Sequence, residues 1–233
     1  METFILDLLK LILINIVLSG DNAVVIALAC RNLPQELQKK AVFWGSFGAI
    51  GLRIVLTFLA VWLLEIPFVQ IAGGLMLLFI AYKLLAGDED GDNLKSGSSM
   101  REAVKTIIIA DLIMSLDNVV AVAGAANGNF LIILIGLAIS IPLIIWGSQL
   151  LMTLMNRFPI IALLGAGLLG YTAGEMILGD DAIATKIEAS FPVAHYVLPI
   201  VLAVLVMVVG KMAGNRAEKG QVAAETAATK EEE

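Results

Sequence analysis

Long apolar runs alternate with short polar connections along this chain. Seven runs are long enough to cross a bilayer, because a transmembrane helix needs about 20 mostly apolar residues. They are predicted at residues 4–30, 40–64, 68–86, 103–125, 130–155, 159–178 and 194–213. Two polar stretches interrupt the pattern, at 87–102 and from 214 to the end. The pattern therefore predicts an all-α membrane protein with seven transmembrane helices.

Composition agrees with the bilayer as solvent and excludes several classes of protein. Hydrophobic residues make up 59% and charged residues 15% of the 233 residues, whereas soluble domains average about 25% charged. The net charge of −6 argues against a nucleic-acid partner. The single cysteine excludes an intramolecular disulfide framework. No nucleophilic triad, P-loop or dinucleotide fingerprint occurs, so neither an enzyme nor an organic cofactor is expected.

The first and fourth predicted spans contain a repeated motif. SGDNAVVIA at 19–27 aligns with SLDNVVAVA at 115–123, and the Ser, Asp and Asn are identical. The third and sixth spans match more weakly, with Pro67 opposite Pro159 and Gly73 opposite Gly165. Three spans and a crossing loop separate the copies, which gives them opposite directions in the membrane. We therefore predict a 3+3 inverted-topology repeat plus one C-terminal helix, an architecture typical of transporters.

Basic residues set the orientation, since cytoplasmic loops carry an excess of Lys and Arg. With the N-terminus outside, every Lys and Arg of the 15 except Lys10, Arg53 and Lys186 falls on the cytoplasmic side or in the tail beyond the last span. The predicted organisation follows directly. It comprises a first three-helix repeat (1–86), a cytoplasmic acidic linker (87–102), a second inverted repeat (103–178), an outer loop and seventh helix (179–213) and a disordered cytoplasmic tail (214–233).

Acidic side chains lie well inside two of the predicted spans. An ionised Asp at the bilayer centre costs roughly 2.5–3.5 kcal/mol, and an amide would join helices at less cost. Asp21 and Asp117, together with Asp111, are therefore interpreted as functional. The candidate metal ligands are Asn15, Ser19, Asp21 and Asn22 in the first copy and Asp111, Ser115, Asp117 and Asn118 in the second.

An unbroken helix would spread each set of four side chains over about 160°, which is too wide for one small ligand. Ser, Gly, Asp and Asn are also weak helix formers. We therefore predict a local helix break near Ser19–Gly20–Asp21 and a milder one near Ser115–Leu116–Asp117. A break would free backbone carbonyls to act as ligands.

The candidate ligands are all hard oxygens, which suits Mn²⁺, Ca²⁺ or Mg²⁺ rather than Cu(I) or Zn²⁺. Charge counting agrees with a divalent cation. Three carboxylates contribute −3 and Arg53, in the middle of the second span, contributes +1, so −2 remains to be balanced. Arg53 lies too centrally to reach the interface, and it is predicted to pair with an Asp and to take part in charge coupling.

The SGDN and SLDN motifs, Arg53 within GAIGLR and the repeat resemble the TerC (tellurium-resistance C) family, in particular its YjbE-type branch. The resemblance covers roughly residues 1–212. It implies a multi-pass protein of the bacterial cytoplasmic (inner) membrane, related to the LysE-like transporter superfamily. It also implies Mn²⁺ efflux or the supply of metal to secreted proteins, with Asp21, Asn22, Asp117 and Asn118 as metal residues.

The leading hypothesis is a secondary transporter that exports Mn²⁺ or a similar hard divalent cation. Export against about 100 mV costs about 4.6 kcal/mol for two charges, so proton coupling is expected. One alternative is a membrane partner of the secretion machinery that supplies metal to exported enzymes. Another is an exporter of a zwitterionic small molecule. The expected partners are a divalent cation and the bilayer, with a homo-oligomer or a secretion-machinery contact left open and no nucleic acid.

Overall fold

A computed structural model describes residues 20–64, 66–86, 96–125, 130–180, 182–184, 187 and 193–231. Across these residues the chain is helical, with turns and no strand, as the sequence predicts. The long helices are, in chain order, α1 (Gly20–Cys30), α2 (Gln35–Leu64), α3 (Val69–Ala86), α4 (Ser96–Ala125), α5 (Phe130–Arg157), α6 (Pro159–Gly179) and α7 (Ala194–Glu231).

Five of these helices contain a segment long and apolar enough to cross a bilayer. The segments are Gln35–Thr57, Val69–Ala86, Leu131–Arg157, Pro159–Gly179 and Ala194–Gly214. They confirm five of the predicted spans. The other two, at 4–30 and 103–125, stay predictions. Residues 4–19 lie outside the described residues, and α4, which contains 103–125, is not one of the five helices with such a segment.

Prolines and polar turns account for the helix boundaries. The carbonyl of Pro34 accepts hydrogen bonds from the N–H groups of Leu37 and Gln38 and opens the first turn of α2. Pro159 occupies the first turn of α6, where its fixed φ and missing N–H carry no penalty. Both prolines therefore lie where one helix ends and the next begins.

Two predicted boundaries differ from the structure. Helix α4 begins at Ser96, inside the stretch expected to be an acidic linker to residue 102. Helix α7 continues to Glu231, although a disordered tail was predicted from residue 214. Low hydropathy suggested disorder there, but the segment is rich in Ala, Glu and Lys, which are strong helix formers.

The helices form one bundle whose core receives side chains from all seven helices, most of them from α1, α3, α4 and α6. Helix α4 packs mainly against α2, and α1 packs against α4, α5 and α6. Helices α3, α6 and α7 form a second group of mutual contacts. Ala27, Leu77, Ile107 and Leu169 are at most 1% exposed. The polar residues of the predicted site therefore lie on helices that enclose an apolar core.

Candidate cation-binding site

A buried network of polar groups joins α2 to α4. The Arg53 guanidinium donates from Nη2 to Asp111 Oδ1 at 2.5 Å and from Nε to Ser115 Oγ at 2.9 Å. The Ser115 hydroxyl in turn donates to Asp111 Oδ2 at 3.3 Å. Arg53 is 4%, Asp111 8% and Ser115 0% exposed. The ion pair with an Asp that was predicted for Arg53 is therefore present.

The geometry of α4 explains why Asp111 and Ser115 act together. Residues four apart lie on the same face of a helix, one turn from each other, and this face meets α2. The predicted break near Ser115–Leu116–Asp117 is wrong, because α4 runs unbroken from Ser96 to Ala125. Ser and Asp weaken helices when their side chains compete for backbone groups. Here the Ser115 hydroxyl is instead bonded to Arg53 and Asp111.

Helix α1 brings a second carboxylate towards this network. Asp21 lies in the first turn of α1, and its Oδ1 accepts the backbone N–H of Asn22 at 2.7 Å. The Asp21 carboxylate is within electrostatic range of both Arg53 and Asp111. Asn22 is 3% exposed. The structure therefore brings together candidate residues from both copies of the repeated motif.

Other predicted site residues are described only in part. Asn15 and Ser19 lie outside the described residues, so the break predicted near Ser19 stays a prediction. Asp117 belongs to the described backbone of α4, but its side chain lies outside the description. Asn118 is half-buried and makes a further interaction. Among the described residues, no three His, Cys, Asp or Glu side chains form a group that could hold a metal ion.

A model of the integral membrane protein TerC family matches residues 1–218. The chain belongs to the TerC family. It is 48% identical over 181 residues to the uncharacterized membrane protein YjbE of Bacillus subtilis (strain 168). This match covers 78% of the chain and 83% of YjbE.

More distant relatives extend beyond this TerC-family chain. YkoY of Bacillus subtilis is 27% identical, and the match covers 73% of this chain but 59% of YkoY. The inner membrane protein YoaE of Escherichia coli (strain K12) is 24% identical, and the match covers 88% of this chain but 42% of YoaE. No solved structure matches.

Arg53 and Asp111 neutralise each other's charge inside the bundle. An isolated charge in the apolar interior is strongly disfavoured, so each partner depends on the other for neutralisation. Asp21 and Asp111 carry two negative charges if ionised, and Arg53 supplies one positive charge. If both are ionised, the described side chains of this cluster carry one more negative charge than Arg53 neutralises.

Asp180, which the sequence analysis did not single out, forms a second buried carboxylate away from this cluster. Its oxygens accept backbone N–H groups from Phe68 at 3.2 Å, Gln70 at 3.2 Å, Ile71 at 3.4 Å and Ala182 at 3.0 Å. These donors fix the start of α3 against the end of α6. Three of these donors lie about 110 residues away in sequence, so no local sequence signal marks this contact.

Proposed function

We propose that this TerC-family protein is a secondary transporter, rather than an enzyme, that exports Mn²⁺ or a similar hard divalent cation. The observation that supports this most strongly is the buried Asp111, held by Arg53 and Ser115 and within range of Asp21. Ionisable side chains inside a membrane bundle are costly and typically mark ion pathways. The relative YoaE is named an inner membrane protein, which supports the bacterial inner membrane as the location.

Reciprocal helix contacts support the proposed seven-span, 3+3 inverted repeat. Exchange of α1 with α4, α2 with α5 and α3 with α6 turns the α1–α5 contact into the α4–α2 contact. The same exchange turns the α1–α6 contact into the α4–α3 contact, and both members of each pair are present. The aligned glycines behave alike, because Gly73 faces Ile113 of α4 and Gly165 faces Val24 of α1. Transporters of this type bind their ion where the repeats meet.

In the proposed mechanism, the transported cation and Arg53 compete for Asp111. Without the cation, the guanidinium neutralises Asp111 and is oriented by Ser115. A divalent cation binds Asp111 together with the ligands Asp21, Asn22, Asp117 and Asn118. To reach the Asp111 carboxylate, it must displace the guanidinium of Arg53. When the cation leaves, Asp111 either pairs with Arg53 again or takes up a proton, so an ionised carboxylate is never left buried without a counter-charge.

The first test measures Mn²⁺ uptake into inverted membrane vesicles that contain the protein. Asp21→Asn and Asp117→Asn each remove one candidate ligand charge while keeping the side-chain shape. We expect uptake to fall tenfold or more in both variants. Mutation of a residue that only orients a metal ligand already lowers metal affinity or activity about 10–100-fold. Addition of Ca²⁺ or Mg²⁺ as competitor identifies the preferred cation.

Asp180→Asn is the matched control, because it removes a buried carboxylate that lies outside the cluster. It should transport Mn²⁺ at a rate close to that of the wild type once uptake is normalised to folded protein measured by size-exclusion chromatography. Unchanged uptake in Asp21→Asn and Asp117→Asn would contradict the proposed function.

The second test concerns proton coupling and Asp111. Neighbouring carboxylates titrate together, so protons can replace the cation as it leaves. In proteoliposomes, a Mn²⁺ gradient should drive a pH change in the wild type, and Asp111→Asn should abolish it. Persistence of the pH change in a folded Asp111→Asn protein would exclude Asp111 from the coupling.

A further inference from the structure

A cavity of about 360 Å³ lies between α1, α3 and α4, at the end of the bundle where Lys83 pairs with Glu102. It is lined by apolar and charged side chains, and it includes none of the residues of the candidate cation site. Helix α3 contributes Met76, Phe79 and Lys83, and α4 contributes Lys105 and Ile109. The cavity therefore needs an explanation of its own.

The lining changes from apolar to cationic in the same direction on both helices. On α3 it passes from Met76 and Phe79 to Lys83, a rise of about 10 Å over seven residues. On α4 it passes in the opposite chain direction from Ile109 to Lys105. Met76 is 49% and Phe79 63% exposed, so the apolar end borders the lipid-facing surface. In the predicted orientation the cationic end lies at the cytoplasmic surface.

The charge of the cavity favours an anion. Lys83 and Lys105 outnumber Glu102, whose carboxylate lies 3.0 Å from Lys83 Nζ. Arg31 is adjacent, because its Nη2 donates at 3.1 Å to the carbonyl of Leu84, a residue of the cavity wall. Within the described part of the chain, the buried Nε of Arg31 has no hydrogen-bond acceptor. Among the described residues that line the polar end, cationic side chains therefore outnumber acidic ones.

We propose that this cavity binds an anionic phospholipid of the inner leaflet. Its phosphate lies between Lys83 and Lys105, and one acyl chain follows Met76, Phe79 and Ile109. Basic pockets between transmembrane helices on the cytoplasmic side suit such headgroups, and the apolar end matches the chain that a soluble anion lacks. The site is independent of the proposed cation transport.

The test is native mass spectrometry of the detergent-purified full chain with added phosphatidylglycerol or phosphatidylcholine. The wild type should retain phosphatidylglycerol in preference to phosphatidylcholine. Lys83→Gln with Lys105→Gln should weaken phosphatidylglycerol binding about five-fold for each lysine, from the usual contribution of a basic residue near an anionic lipid. Glu102→Gln should strengthen it, because Lys83 loses its carboxylate partner.

Lys39→Gln with Lys40→Gln is the matched control, since these exposed lysines lie at the start of α2 outside the cavity. This control should bind phosphatidylglycerol like the wild type. An equal loss in both double variants, or full displacement of the lipid by soluble glycerol phosphate, would overturn the proposal. Unchanged lipid binding together with loss of a dimer in Lys83→Gln with Lys105→Gln would identify a second copy as the occupant and would also overturn it.

Discussion

Two buried aspartates of this protein are held by different kinds of partner. Asp111 is neutralised by the side chain of Arg53 and accepts a hydrogen bond from the Ser115 hydroxyl, and both donors belong to side chains with rotatable bonds. Asp180 is held by backbone N–H groups, which are fixed by the helices and the turn that carry them. Asp111 is therefore suited to exchange one cation for another, whereas Asp180 is suited to fix the fold.

The pH dependence of stability tests the role of Asp180. Burial raises the pKa of its carboxyl, but the hydrogen bonds from Ala182, Phe68, Ile71 and Gln70 outweigh burial and hold the pKa below its usual 3.8. A pKa lowered by folding stabilises the protein above pH 3.8, and this stabilisation is lost as the pH falls through the folded pKa. Asp180→Asn should therefore unfold at lower temperature than the wild type at pH 6.

Thermal unfolding in detergent at pH 6 and pH 3 measures this effect. The expected loss at pH 6 is about 1.5–3 kcal/mol, the usual value for hydrogen bonds to a charged group. The difference between the two proteins should narrow at pH 3, because below pH 3.8 the unfolded chain takes up the proton that the folded carboxylate resists, and the stabilisation declines. A difference that stays constant between the two pH values would show that Asp180 acts through its shape and not through its charge.

At the scale of the helices, small residues set how closely α6 approaches α7. A methyl group on Gly174 would lie 2.5 Å from Cα of Pro199, and one on Gly170 would lie 2.9 Å from the carbonyl oxygen of Leu202. Both obstacles belong to the backbone of α7, which cannot rotate away. Membrane helices lack a hydrophobic force between them and depend on such close packing.

Gly174→Ala should therefore destabilise the protein. Overpacking typically costs about 1–3 kcal/mol, and here the obstacle is backbone. Gly51→Ala is the matched control, because a methyl group there has no atom within 4 Å and Ala favours helix by about 1 kcal/mol over Gly. Thermal unfolding should show a lower Tm for Gly174→Ala and an equal or higher Tm for Gly51→Ala. Equal Tm values for the two variants would contradict the packing argument.

Helix boundaries were predictable where the chain itself marks them. The predicted span at 68–86 corresponds to α3 (Val69–Ala86), and that at 159–178 to α6 (Pro159–Gly179), because Pro and polar turns interrupt the apolar pattern there. The break in α4 was predicted wrongly, since it depended on the local preference of Ser and Asp. The group that satisfies Ser115 belongs to Arg53, 62 residues away in sequence.

The candidate site was predictable in chemistry more than in arrangement. A carboxylate and an arginine inside apolar spans indicate a pair, and Arg53 with Asp111 confirms it. The aspartate that pairs with Arg53 is determined by the packing of α2 against α4. No local sequence pattern encodes that packing. The roles of the other candidate ligands in metal binding stay predictions.

At the scale of the whole molecule, apolar side chains cover the outer surface of the bundle. Phe79, Trp146 and Tyr196 are 63%, 66% and 69% exposed, and such exposure is expected where lipid replaces water. Different polar groups lie at the two ends of the bundle. The Lys83–Glu102 pair and Arg31, bonded to the Leu84 carbonyl, lie at one end, and Asp180 holds the start of α3 at the other.

Side-specific labelling of introduced cysteines tests the predicted orientation. The native Cys30 is 0% exposed, so it should not react and needs no replacement. Glu36 and Val193 are exposed near opposite ends of the bundle. With the N-terminus outside, Val193→Cys should react with a membrane-impermeant maleimide in intact cells, and Glu36→Cys should react only after permeabilisation. The wild type should stay unlabelled in both conditions. Labelling of Glu36→Cys in intact cells would reverse the orientation, and the lysines of the proposed lipid site would then face the outside.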